Sequence, residues 1–288
     1  AARFYAQPPA PSTPPFGKGR SGGISPGSCL IWGMGITQHT NGTANAHGLL
    51  NLSLLAGQLG RPGSGISPLR GQNNVQGCGD AGCLPNAMPG YQVLGQETVA
   101  KFQDAWGGHG FPEEHGLVIT EMVDSMKEPT GIKAMYITGE NPLLSEPDLN
   151  HAQEMFESLE FLVVQDIFMH ETAEIADVVL PATSFAEKDG TFTNLERRIQ
   201  RLKPGRELPE GGARPEWRVI CDVAHKMGAP GFLLMSPSET MDEIARVAPI
   251  YARVSYRNLA NQGGLVFKTD LKSPQPTQVL YASQEDRG

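Results

Sequence analysis

The sequence predicts an α/β protein built on a parallel sheet. Short apolar runs at residues 132–139, 161–166 and 176–181 alternate with helical patterns of suitable length, which is how a sheet with crossover helices reads in sequence. Each run stops at a small or polar residue, and polar loops follow. A hydrophobic content of 39% over 288 residues supplies enough apolar side chains for sizeable cores.

Taken in order, residues 1–7 ("AARFYAQ") read as the last turns of a helix. Residues 8–28, Pro-rich and then Gly/Ser-rich, read as a linker or surface insertion. "CLIWG" (29–33) reads as a buried strand closed by glycine. Residues 43–60 carry apolar side chains at helical spacing and a terminal glycine, predicting a helix that ends near Leu59. After the strand at 132–139, residues 146–159 form an acidic-started amphipathic helix leading to the strand at 161–166. The segment 170–176 is a short helix before the strand at 176–181. Two amphipathic helices follow: 215–228, with Gly228 as its C-terminal cap, and 238–249, started by Ser238. The pattern fades after Pro249, and both ends of the chain read as cut. The expected division is 1–28, 29–72, 73–184 and 185–288, the last leading to a further domain.

A net charge of −8 and a pI near 5.4 argue against nucleic acid, whose phosphates demand clustered Lys and Arg. No apolar run reaches the roughly 20 residues of a membrane span. Cys29, Cys78, Cys83 and Cys221 form no C-x-x-C pair and suit a reducing, cytoplasmic setting. No residue is assigned to a metal. His39 beside Gln38 is expected to be a hydrogen-bonded structural imidazole, and the other histidines show no ligand spacing.

The loops after the strands share a character. Residues 33–38, 139–145, 165–169 and 181–198 each offer small residues with an Asn, Gln, Asp, Ser or Lys. One such loop is an ordinary polar turn. Four together describe a large polar ligand, of nucleotide size or greater, beyond the carboxyl ends of the strands. The stretch "SPLRGQNNVQGCGDAGCLPNAMPGYQ" (67–92) adds hydrogen-bonding capacity with little apolar content.

"WGMGITQHTNGT", "GQLGRPGSGISPLRGQNNVQG", "GENPL" and "VVQDIFMHETAEIADVVLPATSFAEKDGTFTNLERR" resemble, in order from about residue 29 to residue 228, blocks of molybdenum- or tungsten-dependent formate dehydrogenase catalytic (alpha) subunits. These belong to the bis-pterin, or dimethyl sulfoxide reductase, family of molybdopterin oxidoreductases. "RGQNNVQG" is the most specific block. The resemblance implies a molybdenum or tungsten bis(molybdopterin guanine dinucleotide) cofactor. It places Met34 and Gln38 in the first cofactor loop, Asn141 and Ser145 in the second, Gln165 and Asp166 in the third, and Ala182 and Lys188 in the fourth. Glu216, before Trp217, stands where the family usually has Asp. Arg70 matches the substrate arginine, whose planar fork can grip the carboxylate of formate, and Gln72 matches a residue supporting pterin or substrate.

The same resemblance implies oxidation of formate to carbon dioxide, with electrons passing to iron–sulfur or NAD-reducing partner subunits. The family's 4Fe-4S cluster motif, and its metal-ligating Cys or selenocysteine followed by His, have no counterpart here and are expected upstream. A partial chain that does not turn over formate alone is therefore expected. Nitrate reductase or another bis-pterin enzyme is an alternative, as is a metal-free scaffold like the large iron–sulfur subunit of respiratory complex I.

Overall fold

The computed structural model describes residues 27–206, 212–262 and 265–266. The readings of residues 1–26 and of the tail after residue 266 fall outside them. The chain forms two compact units whose segments interleave in sequence. Unit 1 comprises Ala1–Asp80, Phe192–Gln200 and Ala248–Gly288, and unit 2 comprises Ala81–Thr191 and Arg201–Val247.

In unit 1, β1 (Cys29–Trp32) leads through α1 (Met34–Thr37) to α2 (Gly42–Leu55), and β2 (Gly65–Pro68) pairs with β1 in parallel. The expected strand at 29–33 is present, but it is not buried. Among the described residues its one strand neighbour is β2, and Ile31 is 56% exposed. The helix expected to run to Leu59 ends at Leu55 instead. Gly57 takes φ +61 and its N–H bonds Leu54 O, a left-handed stop that glycine adopts without a Cβ penalty. Past that stop Gln58 is buried, and its Oε1 accepts from Ser28 N at 3.0 Å. Next comes α3 (Val75–Asp80), the short helix inside the "RGQNNVQG" region. Pro249–Tyr251 and α11 (Tyr256–Gln262) continue the structure past the point where the sequence pattern fades, and Tyr251, Val254, Tyr256 and Leu259 are buried.

Unit 2 contains the parallel sheet. β5 (Ala134–Thr138), β6 (Phe161–Asp166) and β7 (Val178–Pro181) lie in the order β5-β6-β7, all parallel. Between them run α6 (Pro142–Ser145), α7 (Leu149–Phe156) and α8 (Glu171–Glu174). The apolar faces of α5 (Ile119–Ser125) and α7 meet β5 and β6 in one core of Val123, Met126, Ile137, Ala152, Met155, Phe156, Leu162, Val164 and Ala173. This is the α/β sheet the alternation predicts. β1 does not join it, because β1 pairs with β2 in unit 1. The helix read as 146–159 starts at Leu149, capped by Asp148 accepting from His151 N at 3.1 Å.

Also in unit 2 are the small β3–β4 ladder (Ala87–Met88, Gln92–Val93), α4 (Gln96–Trp106), α9 (Glu216–Lys226) and α10 (Pro237–Val247). Gly228, at φ +78, follows the end of α9 as expected. Ser236, not Ser238, caps α10: its Oγ accepts from Glu239 N, while the Glu239 side chain accepts from Met235 N. Gly190–Thr193 (β8), Arg198–Leu202 (β9) and Leu265–Val266 (β10) form a further sheet in the order β10-β9-β8.

Candidate functional site

The carboxyl end of the unit 2 sheet is assembled by register. Thr138 stands opposite Gln165, and Gln165 opposite Leu180. Beyond β5, Gly139 turns the chain at φ +68, its N–H on Gln165 O. Gln165 is completely buried. Its Oε1 accepts from the Tyr136 hydroxyl at 2.5 Å, and its Nε2 donates to Arg214 O at 3.4 Å. Asp166 closes the next turn, with Oδ1 accepting from Ile167 N and Phe168 N. Ala182 is buried, and its N–H bonds Asp166 O.

Lys188 and Glu216, assigned separately from the sequence, meet here. Lys188 Nζ donates to both carboxylate oxygens of Glu216 at 2.7 and 2.6 Å, with both side chains about one quarter exposed. Burial pushes the Tyr136 hydroxyl above its ordinary pKa; the Glu216 carboxylate adds to that shift, and a side-chain hydrogen bond with Thr138 opposes it. Glu216 thus acts on the same mouth as Gln165.

Asn141 does not face open space. Its Oδ1 accepts from Thr172 N and Oγ1, and its Nδ2 donates to Glu171 Oε2 at 2.7 Å. It ties α6 to α8. Ser145 is exposed and donates to Glu140 Oε1.

Two buried polar atoms at this mouth lack a hydrogen-bond partner among the described residues: Thr183 Oγ1, immediately after Ala182, and His170 Nε2. His170 Nδ1 accepts from Ala173 N at the start of α8, which leaves the proton on Nε2. That N–H faces Asp166 Oδ2 at 3.5 Å. An orphaned buried hydroxyl such as Thr183 Oγ1 is costly, so a mouth that keeps it suits a polar ligand with its own donors and acceptors. Sequence reasoning missed Tyr136, Thr183 and His170. A hydroxyl next to Ala182 in the fourth block was the available signal for Thr183.

Unit 1 holds a separate feature, a cleft of about 1360 Å³ whose lining includes Arg61, Arg70, Gln72, Gln76, Arg197 and Arg198. Met34 is half exposed and lies by the Arg70–Gly71 backbone, since a Cβ on Gly71 would stand 3.7 Å from its Cε. Gln38 is exposed at the end of α1. His39 Nε2 lies 2.8 Å from Gly35 O, the structural bond expected of it. Among the described residues no group of three His, Cys, Asp or Glu side chains could hold a metal ion. None of their helices is long and apolar enough to cross a membrane.

A parallel sheet with polar side chains at its carboxyl mouth defines an α/β protein of the class that places its ligands beyond the strand ends. Residues 26–226 match the molybdopterin oxidoreductase family, and the chain belongs to that family. It is 44% identical over 242 residues, 84% of this chain, to the F420-dependent formate dehydrogenase 2 subunit alpha of Methanococcus maripaludis, and covers 35% of that protein. It is 44% identical over 235 residues to the F420-dependent formate dehydrogenase subunit alpha of Methanocaldococcus jannaschii, covering 81% of this chain and 34% of that one. It is 45% identical over 238 residues to "Probable oxidoreductase YjgC" of Bacillus subtilis, covering 82% and 24%. The chain thus spans about a quarter to a third of the length of these relatives. Membership implies a molybdenum or tungsten pterin cofactor, which the polar mouth and its orphaned hydroxyl fit.

Proposed function

We propose that the chain is part of a formate dehydrogenase-type oxidoreductase, and that the complete protein oxidises formate to carbon dioxide with a molybdenum or tungsten bis(molybdopterin guanine dinucleotide) cofactor. The observation that carries the reading is Arg70 of "RGQNN" lining the unit 1 cleft beside Gln72. The names and identities of the relatives support it.

The bound pterin-held metal supplies the two-electron redox chemistry. The chain's own residues bind and orient. Arg70 binds the formate carboxylate through two N–H donors, which fixes the direction of the C–H bond. Gln72 and Met34 border that position. On the cofactor side, Glu216 offers a carboxylate to the N–H edge of guanine while Lys188 neutralises it. Asp166 and Ser145 line the mouth with acceptors. Gln165, Ala182 and Asn141 work from behind, by holding the turns that carry the exposed groups. Gln38 contributes from the first loop. Iron–sulfur or NAD-reducing subunits in the cytoplasm would take the electrons, and the family's 4Fe-4S cluster would be bound outside these residues. The domain boundaries read from the sequence are our proposal for the complete protein.

The test is Arg70→Ala in the complete protein. Formate oxidation should fall at least about a hundredfold, as expected for losing a charged, bidentate contact worth about 3 kcal/mol, with metal and pterin content retained. Formate turnover at the wild-type rate in a metal-loaded Arg70→Ala protein overturns the proposal.

A further inference from the structure

The arginines of the unit 1 cleft are held differently. Arg197 faces Asp80 Oδ1 at 3.7 Å, and Arg198 faces Glu196 at 3.5 Å. Arg70 instead bonds a neutral group: its Nε and Nη2 share Gln76 Oε1 at 3.3 and 3.1 Å. The other end of that amide is fixed, because Gln76 Nε2 donates to Asp80 Oδ1 at 2.8 Å. Asp80 is completely buried. Gln76 and Asp80 lie four residues apart on α3 and so share one helix face. A carboxylate can only accept, so it forces the N–H side of the Gln76 amide towards itself. The amide oxygen then has one direction left, towards Arg70.

We propose that Gln76 and Asp80 are positioning residues that clamp Arg70 along its Nε/Nη2 edge and leave its Nη1/Nη2 end open to a small monocarboxylate. The inference rests on the reading of Arg70 as the substrate arginine. A guanidinium has five N–H donors, and the clamp uses two. The remaining three sit on the two terminal nitrogens, which is the end-on fork that a carboxylate fits. The neutrality of the clamp matters as much as its geometry. A carboxylate at position 76 would hold Arg70 equally well but would cancel the charge that draws the substrate anion, and it would stand against Asp80. An amide orients the guanidinium without neutralising it.

The experiment uses the complete, cofactor-loaded protein and formate itself as the probe. Protection of Arg70 from phenylglyoxal by increasing formate, read by mass spectrometry of the Arg70 peptide, measures occupancy without turnover, and steady-state kinetics give KM and kcat separately. Gln76→Glu and Gln76→Met should each raise the protecting formate concentration and KM by about tenfold, equivalent to about 1.4 kcal/mol. Gln76→Glu should have the larger effect, and kcat should change less than KM. Gln76→Met brings no charge up to Asp80, so it decides the matter by the same criterion if Gln76→Glu does not fold. A protecting concentration within about twofold of wild type in Gln76→Glu overturns the inference, whether or not turnover survives. If formate gives no protection to Arg70 in the wild-type protein, the reading of Arg70 itself fails.

Discussion

Gln165 is completely buried, and its amide is satisfied there by the Tyr136 hydroxyl on one side and Arg214 O on the other. Tyr136→Phe removes the donor but not the ring, leaving Gln165 Oε1 unpaired. It should destabilise the protein by about 1–2 kcal/mol, seen as a lower midpoint in chemical denaturation; an unchanged midpoint would show that the bond contributes nothing. The pH dependence has a defined sign. The folded state raises the Tyr136 pKa, chiefly by burial, so it favours the neutral phenol. The contribution is complete below the ordinary tyrosine value of about 10 and is lost as pH rises through the higher folded value. The stability gap between wild type and Tyr136→Phe should therefore shrink only above about pH 10. Gln165 and Asp166 were legible in sequence because they end an apolar run. Tyr136 was not: it reaches Gln165 diagonally across β5 and β6, 29 residues away, and only the register brings the two together. The Gln76–Asp80 face of α3 was hidden for a different reason. Six residues with two polar side chains and two glycines give no apolar period to read.

At the scale of elements, the strands of the unit 2 sheet were legible because each carries a short apolar run set between helical patterns. Helix ends were less so, because several residues could each serve as a cap. Gly60 looks like the stop for α2 and does take φ +70, yet Gly57 at φ +61 has already ended the helix three residues earlier. Ser238 looks like the start of α10, yet Pro237 occupies the first turn and Ser236 provides the cap. β8 and β9 were missed because "GTFT" and "RIQRL" are mostly polar, with only Thr193 and Ile199 buried. The cap of α7 is a place where the start is unambiguous. Asp148→Ala removes the acceptor for His151 N and should cost about 1 kcal/mol, while Asp148→Ser should recover most of it. Equal midpoints for the two variants in thermal unfolding would exclude a capping role. Gly139→Ala places a Cβ on a residue at φ +68 with no atom within 4 Å of it. Its expected loss of about 1 kcal/mol is therefore backbone strain rather than a clash, and a midpoint equal to wild type would rule that strain out.

Across the whole molecule, the proposed substrate contacts Arg70 and Gln72 fall in unit 1. The proposed cofactor residues Asn141, Ser145, Gln165, Asp166, Ala182, Lys188 and Glu216 fall in unit 2, and Met34 and Gln38 are the cofactor contacts proposed from unit 1. This partition predicts that two kinds of defect can be separated. Lys188→Met leaves the Glu216 carboxylate without its cation, beside a Tyr136 hydroxyl already disfavoured from ionising. Removing one partner from a partly buried pair weakens whatever that pair holds. In the complete protein, Lys188→Met should lower bound metal and releasable guanine nucleotide together. The fraction that remains loaded should keep a formate KM within about twofold of wild type, because the charge around Arg70 is untouched. Arg70→Lys should do the reverse: full metal and nucleotide content, with KM raised about tenfold or more, since an ammonium keeps the charge but lacks the fork. Metal analysis, nucleotide chromatography and formate kinetics on the two variants give four readings, and the partition requires them to cross. Loss of metal in Arg70→Lys, or a shifted KM with full loading in Lys188→Met, would mean that one constellation performs both tasks.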